Sequence, residues 1–339
     1  MADLNRVWRL RRRPRGGIGD GDLTLEAEPV PQPAEGQCLM RLNYLSIDPT
    51  NLGWMKRDTY IPAVAIGDPM RGVVCGTVVA SRSDDLPEGA IVTGLGTWAD
   101  YQLGTPETLQ VMADTGPVPV AEAFGTFAIV GPTAYVGMMD IGRPRAGETV
   151  VVSGAAGGVG SIAGQIARIQ GCRVVGVAGR EEKCAWITDE LGFDAAINYR
   201  TQDVADALDT ACPDGIDVYF DNTGGEILDA CLARMNVFGR VVTCGQISQY
   251  ESDGAGSGPA NYGSILLNRL TVTGFIILDH MDRYPEAIGA LGGWMAEGAL
   301  TARNEIVDGL ENAVDTCRRL FTGEHSGKLL VRVEDVAGS

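Results

Sequence analysis

The part of this sequence best suited to holding a charged ligand is Gly154-Ala155-Ala156-Gly157-Gly158-Val159-Gly160. It follows a run of β-branched residues, Thr149–Ser153, and leads into a segment with Ile162, Ile166 and Ile169 on one side. A strand, a tight glycine turn and a helix in that order present backbone N–H groups at a positively polarised helix start, which suits a pyrophosphate. The spacing is G-x-x-G-x-x-G rather than the usual G-x-G-x-x-G. It meets the same demands: a tight turn, close backbone approach to the phosphates and close helix–strand packing. A turn that merely packs closely would use the same glycines, but the strand before it and the helix after it favour a dinucleotide.

The choice of dinucleotide falls at the end of the next strand, where an acid would hold the ribose hydroxyls of NAD and repel a 2′-phosphate. Here the chain reads Ala178-Gly179-Arg180-Glu181-Glu182-Lys183. The strand tip carries no acid, and Arg180 and Lys183 can donate to a phosphate. The alternative is that both cations are solvated helix-start side chains paired with Glu181 and Glu182. The pattern points to NADPH.

Metal chemistry has little to work with. A zinc dehydrogenase needs Cys and His ligands. The only histidines are His280 and His325, far beyond the N-terminal region, and Gly67-Asp68-Pro69-Met70 offers none. The eight cysteines, at 38, 75, 172, 184, 212, 231, 244 and 317, form no C-x-x-C pair and read as reduced core thiols. A nucleophilic G-x-S-x-G elbow is also missing. Hydride transfer without a metal remains.

These residues must be positioned by a chain of 339 residues, long enough for two domains. Apolar residues at 45% and charged residues at 21% fit a soluble globular protein. No apolar run reaches a membrane span of roughly 18 residues, and the N-terminus has no signal-peptide pattern, so a cytoplasmic location without a membrane partner is expected. The formal charge of −17 disfavours nucleic acid as a partner. Arg9, Arg11, Arg12, Arg13 and Arg15 read as a strand and turn closed by Pro14, Gly16 and Gly17, with a targeting or nucleic-acid segment as the alternative.

Short apolar runs at Gln37–Leu45, Gly72–Ser81 and Ala90–Gly94 predict a β-rich first domain over 1–123. From Phe124 the texture changes, with Pro132-Thr133-Ala134-Tyr135 opening a helix. Six runs then predict parallel strands buried on both faces: Thr149–Ser153, Arg173–Ala178, Ala196–Tyr199, Asp217–Asp221, Arg240–Cys244 and Thr271–Ile277. Helices at Gly160–Gln170 and Glu181–Leu191 alternate with them. The fold class is therefore α/β, with a doubly wound parallel dinucleotide-binding sheet over 124–307. A helix around Glu311–Phe321 and a strand Lys328–Val333 return to the first domain, so that 308–339 completes it.

Together these residues resemble the zinc-free medium-chain dehydrogenase/reductase superfamily, close to prostaglandin reductases, plant alkenal double-bond reductases and bacterial curcumin reductases. The resemblance spans nearly the whole chain. It is carried by Gly131-Pro132-Thr133-Ala134-Tyr135, Gly147-Glu148-Thr149-Val150-Val151-Val152, Asp214-Gly215-Ile216-Asp217-Val218-Tyr219-Phe220-Asp221-Asn222 and Cys244-Gly245-Gln246-Ile247-Ser248-Gln249-Tyr250. It implies a GroES-like β-barrel domain, a Rossmann domain and an active site in the cleft between them. It also implies NADPH-dependent reduction of the C=C bond of α,β-unsaturated ketones and aldehydes, and a homodimer joined near Thr271–Ile277. By the same resemblance Lys183 contacts the 2′-phosphate, with Tyr199 beside it, and Asn222 lines the cofactor cleft. Cys244, Gly245, Ile247, Ser248, Phe275, Ile276 and Ile277 follow the cofactor's diphosphate and nicotinamide ends.

The chain departs from that family in three places. Asp48-Pro49-Thr50-Asn51-Leu52 stands where many members have Asp-Pro-Tyr-Met-Arg near the substrate, so an aromatic hydroxyl is lost there. Arg180 replaces a more usual serine, which should strengthen phosphate binding. His325 replaces a common asparagine in the final glycine turn, which puts that cofactor contact in doubt.

Tyr250 is the candidate donor to the enolate oxygen that forms when hydride reaches the β-carbon, the alternative being a tyrosine packed at a loop base. Glu251–Tyr262, rich in Gly and Ser, suits a segment that orders over substrate or an idle surface loop. Thr50 and Asn51, together with Trp54, Met55, Tyr60, Met70 and Tyr262, are expected to line the substrate pocket, although such aromatic and Met residues also serve as plain core. Two other functions fit the same residues: a quinone oxidoreductase, and a protein that binds NADPH without turnover.

Overall fold

The computed structural model describes residues 4–112, 118–253 and 258–336. The chain divides into two compact units. One comprises Met1–Ala128, Asn304–His325 and Leu329–Ser339; the other comprises Ile129–Arg303 and Ser326–Lys328.

The first unit opens with an antiparallel pair, β1 (Leu4–Leu10) and β2 (Leu23–Pro29). The arginines around the turn after β1 are spent on local partners. Arg9 and Arg11 pair with Glu26 and Glu28, Arg12 pairs with Asp22, and Arg13 donates to the Met55 carbonyl at 2.7 Å. That is the strand-and-turn reading of the basic patch. The main sheet is built on β3 (Cys38–Ile47), buried along almost its whole length, which pairs antiparallel with β4 (Arg71–Ser81). Two register shifts in this pairing increase the local twist and curl the sheet. On the far side of β4 lie β5 (Ile91–Thr97) and, past it, β7 (Leu109–Val111), while β6 (Tyr101–Gly104) pairs with the start of β3.

In the second unit, β8 (Thr149–Ser153), β9 (Arg173–Ala178), β10 (Ala195–Asn198), β11 (Ile216–Asp221), β12 (Met235–Thr243) and β13 (Thr271–Gly274) form one parallel sheet in the order β10-β9-β8-β11-β12-β13. β8 is buried at every residue, as its unbroken β-branched run requires. The order reverses between β8 and β11, so a crevice opens beyond their C-terminal ends, the usual place for a ligand in such sheets. The chain then returns to the first unit with β14 (Asn304–Asp308) and β15 (Lys328–Arg332), which extend its sheet in the order β14-β15-β3-β4-β5-β7. The helix Ala313–Thr322 lies between them.

Three elements differ from expectation. The strand predicted at Thr271–Ile277 stops at Gly274 and is not buried on both faces: Thr271, Val272 and Gly274 are exposed because β13 is the sheet edge. The helix predicted at Glu181–Leu191 is α-helical to Ala185 and continues as a π-helix over Trp186–Glu190. Asn304–Asp308 carries too little apolar alternation to announce β14.

Candidate functional site

Beyond β8 the chain turns at Gly154, whose φ of +59° is open to glycine and strained for other residues. Gly157 N–H donates to the Gly154 carbonyl at 2.9 Å, and Gly157 then caps the helix Gly158–Ile169, which has no acid in its first turn. A Cβ on Gly160 would lie 2.3 Å from the Gly154 carbonyl oxygen, so the helix starts at this distance from the turn only because residue 160 has no side chain. Gly154, Gly157, Gly158, Val159 and Gly160 thus form a compact strand–turn–helix cradle with a positive helix start facing outward.

The neighbouring strand supplies a second wall. Asn222, just after β11, donates its Nδ2 to the Ser153 carbonyl at 2.7 Å, and its backbone N–H to Ser153 Oγ at 2.9 Å. This side chain is therefore the clamp between the ends of β8 and β11. Beneath it, one oxygen of the buried Asp221 accepts from Tyr219 Oη at 2.8 Å, Ser153 Oγ at 3.2 Å, Thr223 N at 3.0 Å and Gly224 N at 2.8 Å. Burial raises the Asp221 pKa, and these hydrogen bonds act in the opposite direction.

The end of β12 closes the crevice. Cys244 and Gly245 N–H groups donate to the Asp221 carbonyl at 2.9 and 3.0 Å, Ile247 N–H to the Asn222 carbonyl at 3.2 Å, and Ser248 Oγ to the Thr223 carbonyl at 2.6 Å. Burial pushes the Cys244 thiol up to about 12, so it is protonated at neutral pH and is no nucleophile. Tyr250 ends the short helix Ile247–Tyr250, and its phenol folds back to 3.5 Å from Gln246 N, beside Gly245. Glycine turn, Asn222, Gly245, Ser248 and the Tyr250 phenol are thereby brought into one neighbourhood.

At the end of β9 the Tyr199 ring packs against Gly179 so closely that a Cβ there would lie 2.7 Å from it. Tyr199 N–H donates to the Ala178 carbonyl at 3.0 Å, which fixes the tyrosine at the tip of β9. Lys183, one helical turn on, is only 8% exposed, which removes the fully solvated reading for that cation. Arg180 lies 3.7 Å from Glu182, as the alternative reading had it. Arg200 stacks over the Tyr199 ring at 5.9 Å, a third cation that the sequence did not single out. Its only signal was its position next to the family tyrosine.

Other expected residues are placed differently. Phe275 and Ile276 follow β13 rather than continue it, with Phe275 packed toward Gly137 and against His280, while Ile277 is nearly buried. Asn51 and Met70 have no exposed surface and cannot touch a substrate from these positions. Asn51 instead ties its own turn to β4, accepting from Asp48 N at 2.8 Å and donating to the Arg71 carbonyl at 3.2 Å, and Met70 is core. Trp54 is 4% exposed, whereas Thr50 and Tyr60 reach the surface and share a hydrogen bond of 3.0 Å. Tyr262 is 67% exposed, its turn tied to Asp229 through Asn261 rather than to the glycine cradle. Within Glu251–Tyr262, residues 254–257 lie outside the described ones.

Residues 6–112 match a family model described as the N-terminal domain of oxidoreductase, and residues 158–292 match one described as zinc-binding dehydrogenase. The chain is 40% identical to the NADPH-dependent curcumin reductase of Escherichia coli, covering 97% of each chain. It is 36% identical to prostaglandin reductase 1 of Mus musculus, covering 96% of this chain and 98% of the relative. Among solved structures it is similar to CurA from Vibrio vulnificus in complex with NADPH, with a TM-score of 0.92 and 37% identity over 97% of this chain and 99% of that one. Of the chain's two histidines, His280 lies against Phe275, and His325 Nδ1 lies 3.3 Å from the Arg319 carbonyl. Among the described residues no three His, Cys, Asp or Glu side chains gather to hold a metal, and no helix is long and apolar enough to cross a membrane.

Proposed function

This chain belongs to the medium-chain dehydrogenase/reductase family, and we propose that it is an NADPH-dependent, zinc-independent reductase of the C=C bond of α,β-unsaturated ketones and aldehydes. The observation that carries the reading is the acid-free tip of β9, where the nearly buried Lys183 and the Tyr199 ring packed on Gly179 stand beside the glycine cradle. A 2′-phosphate finds charge and donors there, and no carboxylate at the strand tip repels it.

NADPH, when bound, supplies a hydride for the β-carbon of the substrate. The protein's own groups do the rest. The amides and helix start at Gly157–Gly160 take the pyrophosphate, Lys183 and Arg180 with Tyr199 take the extra phosphate, and Asn222, Gly245 and Ser248 form the crevice wall at the ends of β11 and β12. Tyr250 donates a hydrogen bond to the substrate oxygen as negative charge grows on it, and the enolate then takes the proton for its α-carbon from water.

Lys183→Ala is expected to weaken NADPH binding about 10- to 100-fold, the worth of a hydrogen bond to a charged group, with NADH binding little altered. Fluorescence titration of both nucleotides checks this; equal losses for the two would remove the 2′-phosphate assignment. Turnover is tested with a panel of enones, enals, quinones and plain ketones, locating the added hydrogens in the products. Preference for quinones, or binding without any NADPH consumption, would overturn the reductase reading. Tyr250→Phe should lower kcat about 30-fold with KM nearly constant, because the lost interaction strengthens only as charge develops. A variant with normal turnover would take Tyr250 out of the mechanism.

The reading includes a cytoplasmic homodimer joined along β13. That edge presents unpaired backbone groups, and its surroundings expose Val272 at 45%, Leu266 at 79% and Leu267 at 70%, which a second copy would cover. A monomeric mass in solution would exclude it.

A further inference from the structure

The glycine turn after β8 is completed by Ser326-Gly327-Lys328, which belong to the same unit although they come much later in the chain. Gly157 and Gly327 form a parallel bridge, and Gly327 N–H donates to the Ala156 carbonyl at 2.8 Å. The carbonyl of Ala156 and the N–H of Gly157 belong to one planar peptide group. That N–H donates to the Gly154 carbonyl at 2.9 Å, so the group is held at both ends. Its plane sets the direction in which the helix Gly158–Ile169 leaves the turn, and with it the aim of the first helical amides. Ala156 is 2% exposed, and a buried carbonyl left without this donor would be costly.

Gly327 is itself placed with little freedom. Its φ of +71° suits glycine, and a Cβ there would collide with the carbonyl of Arg303. That carbonyl accepts from Lys328 N–H at 2.8 Å. Arg303 is anchored in turn on the segment Trp186–Glu190: its guanidinium lies 4.3 Å from the centroid of the Trp186 ring and 3.2 Å from Glu190. The Lys328 stem runs along the helix start, with Cβ and Cδ each 3.4 Å from where a Gly158 Cβ would be. Backbone therefore meets backbone at this wall of the turn, and a side chain at 327 would hold the two apart.

We propose that Gly327 is a positioning residue of the cofactor site: its N–H fixes the Ala156–Gly157 peptide and so presets the helix-start amides for the pyrophosphate before any cofactor arrives. The inference rests on the NADPH reading above. Pyrophosphate is common to NADPH and NADH, so Gly327 governs the affinity of both, whereas the effect of Lys183 is confined to the 2′-phosphate.

The test compares Gly327→Ala with Gly298→Ala in the full-length protein. Gly298 has nearly the same φ, +70°, but nothing within 4 Å of an added Cβ, so it carries the backbone strain without the collision. Relative to Gly298→Ala, Gly327→Ala should weaken NADPH and NADH alike about 30-fold in fluorescence titration, as expected for one buried hydrogen bond lost and several amides misdirected. Its kcat at saturating NADPH should stay within about twofold of Gly298→Ala, because preset amides act on binding. Should Gly327→Ala fail to fold, hydrogen exchange on the wild type decides. The Gly327 amide should exchange at least about fivefold more slowly with NADPH bound, and an unchanged rate overturns the proposal. Affinities within about threefold of Gly298→Ala overturn it too, as does a loss confined to NADPH, which would place Gly327 at the 2′-phosphate. A wild type that binds neither nucleotide fails at the NADPH reading, and the positioning role falls with it; a wild type that binds both, beside a Gly327→Ala that binds them equally well, sinks the positioning role alone.

Discussion

Alanine in place of Gly160 is expected to weaken NADPH binding by about three orders of magnitude, roughly 4 kcal/mol. The reason is steric. A Cβ at 160 would lie 2.3 Å from the Gly154 carbonyl oxygen, 2.8 Å from the Gly154 carbonyl carbon and 3.0 Å from the Ala155 Cα, all backbone atoms that cannot swing aside. The turn has to move away from the helix start. With it go the amides proposed to hold the pyrophosphate, several charge-assisted hydrogen bonds at once. Overpacking of this kind also costs about 1–3 kcal/mol of stability. Glycines of the helix Tyr284–Ala296 provide the control: Gly289 and Gly293 have nothing within 4 Å of an added Cβ. Gly289→Ala and Gly293→Ala should leave NADPH affinity intact and each stabilise the protein by up to about 1 kcal/mol. Fluorescence titration and urea unfolding of the three variants give both readings. Gly160→Ala binding NADPH as well as the two controls do would refute the cradle.

The contrast between those glycines marks what the chain discloses by itself. Thr149–Ser153 and Arg173–Ala178 were legible to the residue, because a β-branched run bounded by turn residues has few other ways to be buried. The same pattern misleads at Thr271–Ile277. Val272 has the character of a central strand, yet it lies on the sheet edge at 45% exposure, and nothing local distinguishes an edge from an interior. The π-helical turn over Trp186–Glu190 leaves no periodic trace in five residues. The glycine turn after β8 was readable because its needs are backbone needs, which glycine spacing records. The substrate side was not. Asn51 reads as a polar residue near a substrate but spends one amide atom on its own turn and the other on the Arg71 carbonyl, while Tyr60 reads as an apolar wall and shares a hydrogen bond with the Thr50 hydroxyl. Such roles depend on which atoms meet across ten or more residues, information that a one-dimensional pattern does not carry. Arg200 was missed for the same reason, since only the folded chain lays its guanidinium over Tyr199.

Asp221→Leu is expected to cost about 4 kcal/mol or more, enough to unfold much of a protein whose total stability is about 5–15 kcal/mol. One carboxylate oxygen receives four donors, and leucine would leave the Tyr219 and Ser153 hydroxyls and the Thr223 and Gly224 amides facing an apolar side chain. Each orphaned group costs about 1–3 kcal/mol, less whatever relaxation and water recover. Asp221→Asn keeps an oxygen in the same place, so its cost at neutral pH should stay within about 1 kcal/mol. Its pH dependence separates charge from geometry. Burial raises the Asp221 pKa above its ordinary 3.8, so the folded protein holds the proton more tightly than the unfolded chain. The resulting stabilisation is complete below that ordinary value and is lost as pH rises through the raised one. At neutral pH the ionised carboxylate is therefore a net cost that the amide does not carry. On acidification from pH 7 toward about 4 the wild type should gain stability relative to Asp221→Asn, a trend read from urea midpoints at several pH values. A constant difference would mean that the four donors fully offset the burial of the charge. Because those donors include the two amides that shape the turn after Asn222, the leucine variant should lose the crevice beyond β8 and β11 as well. Its surviving folded fraction should bind NADPH poorly while the asparagine variant binds it normally.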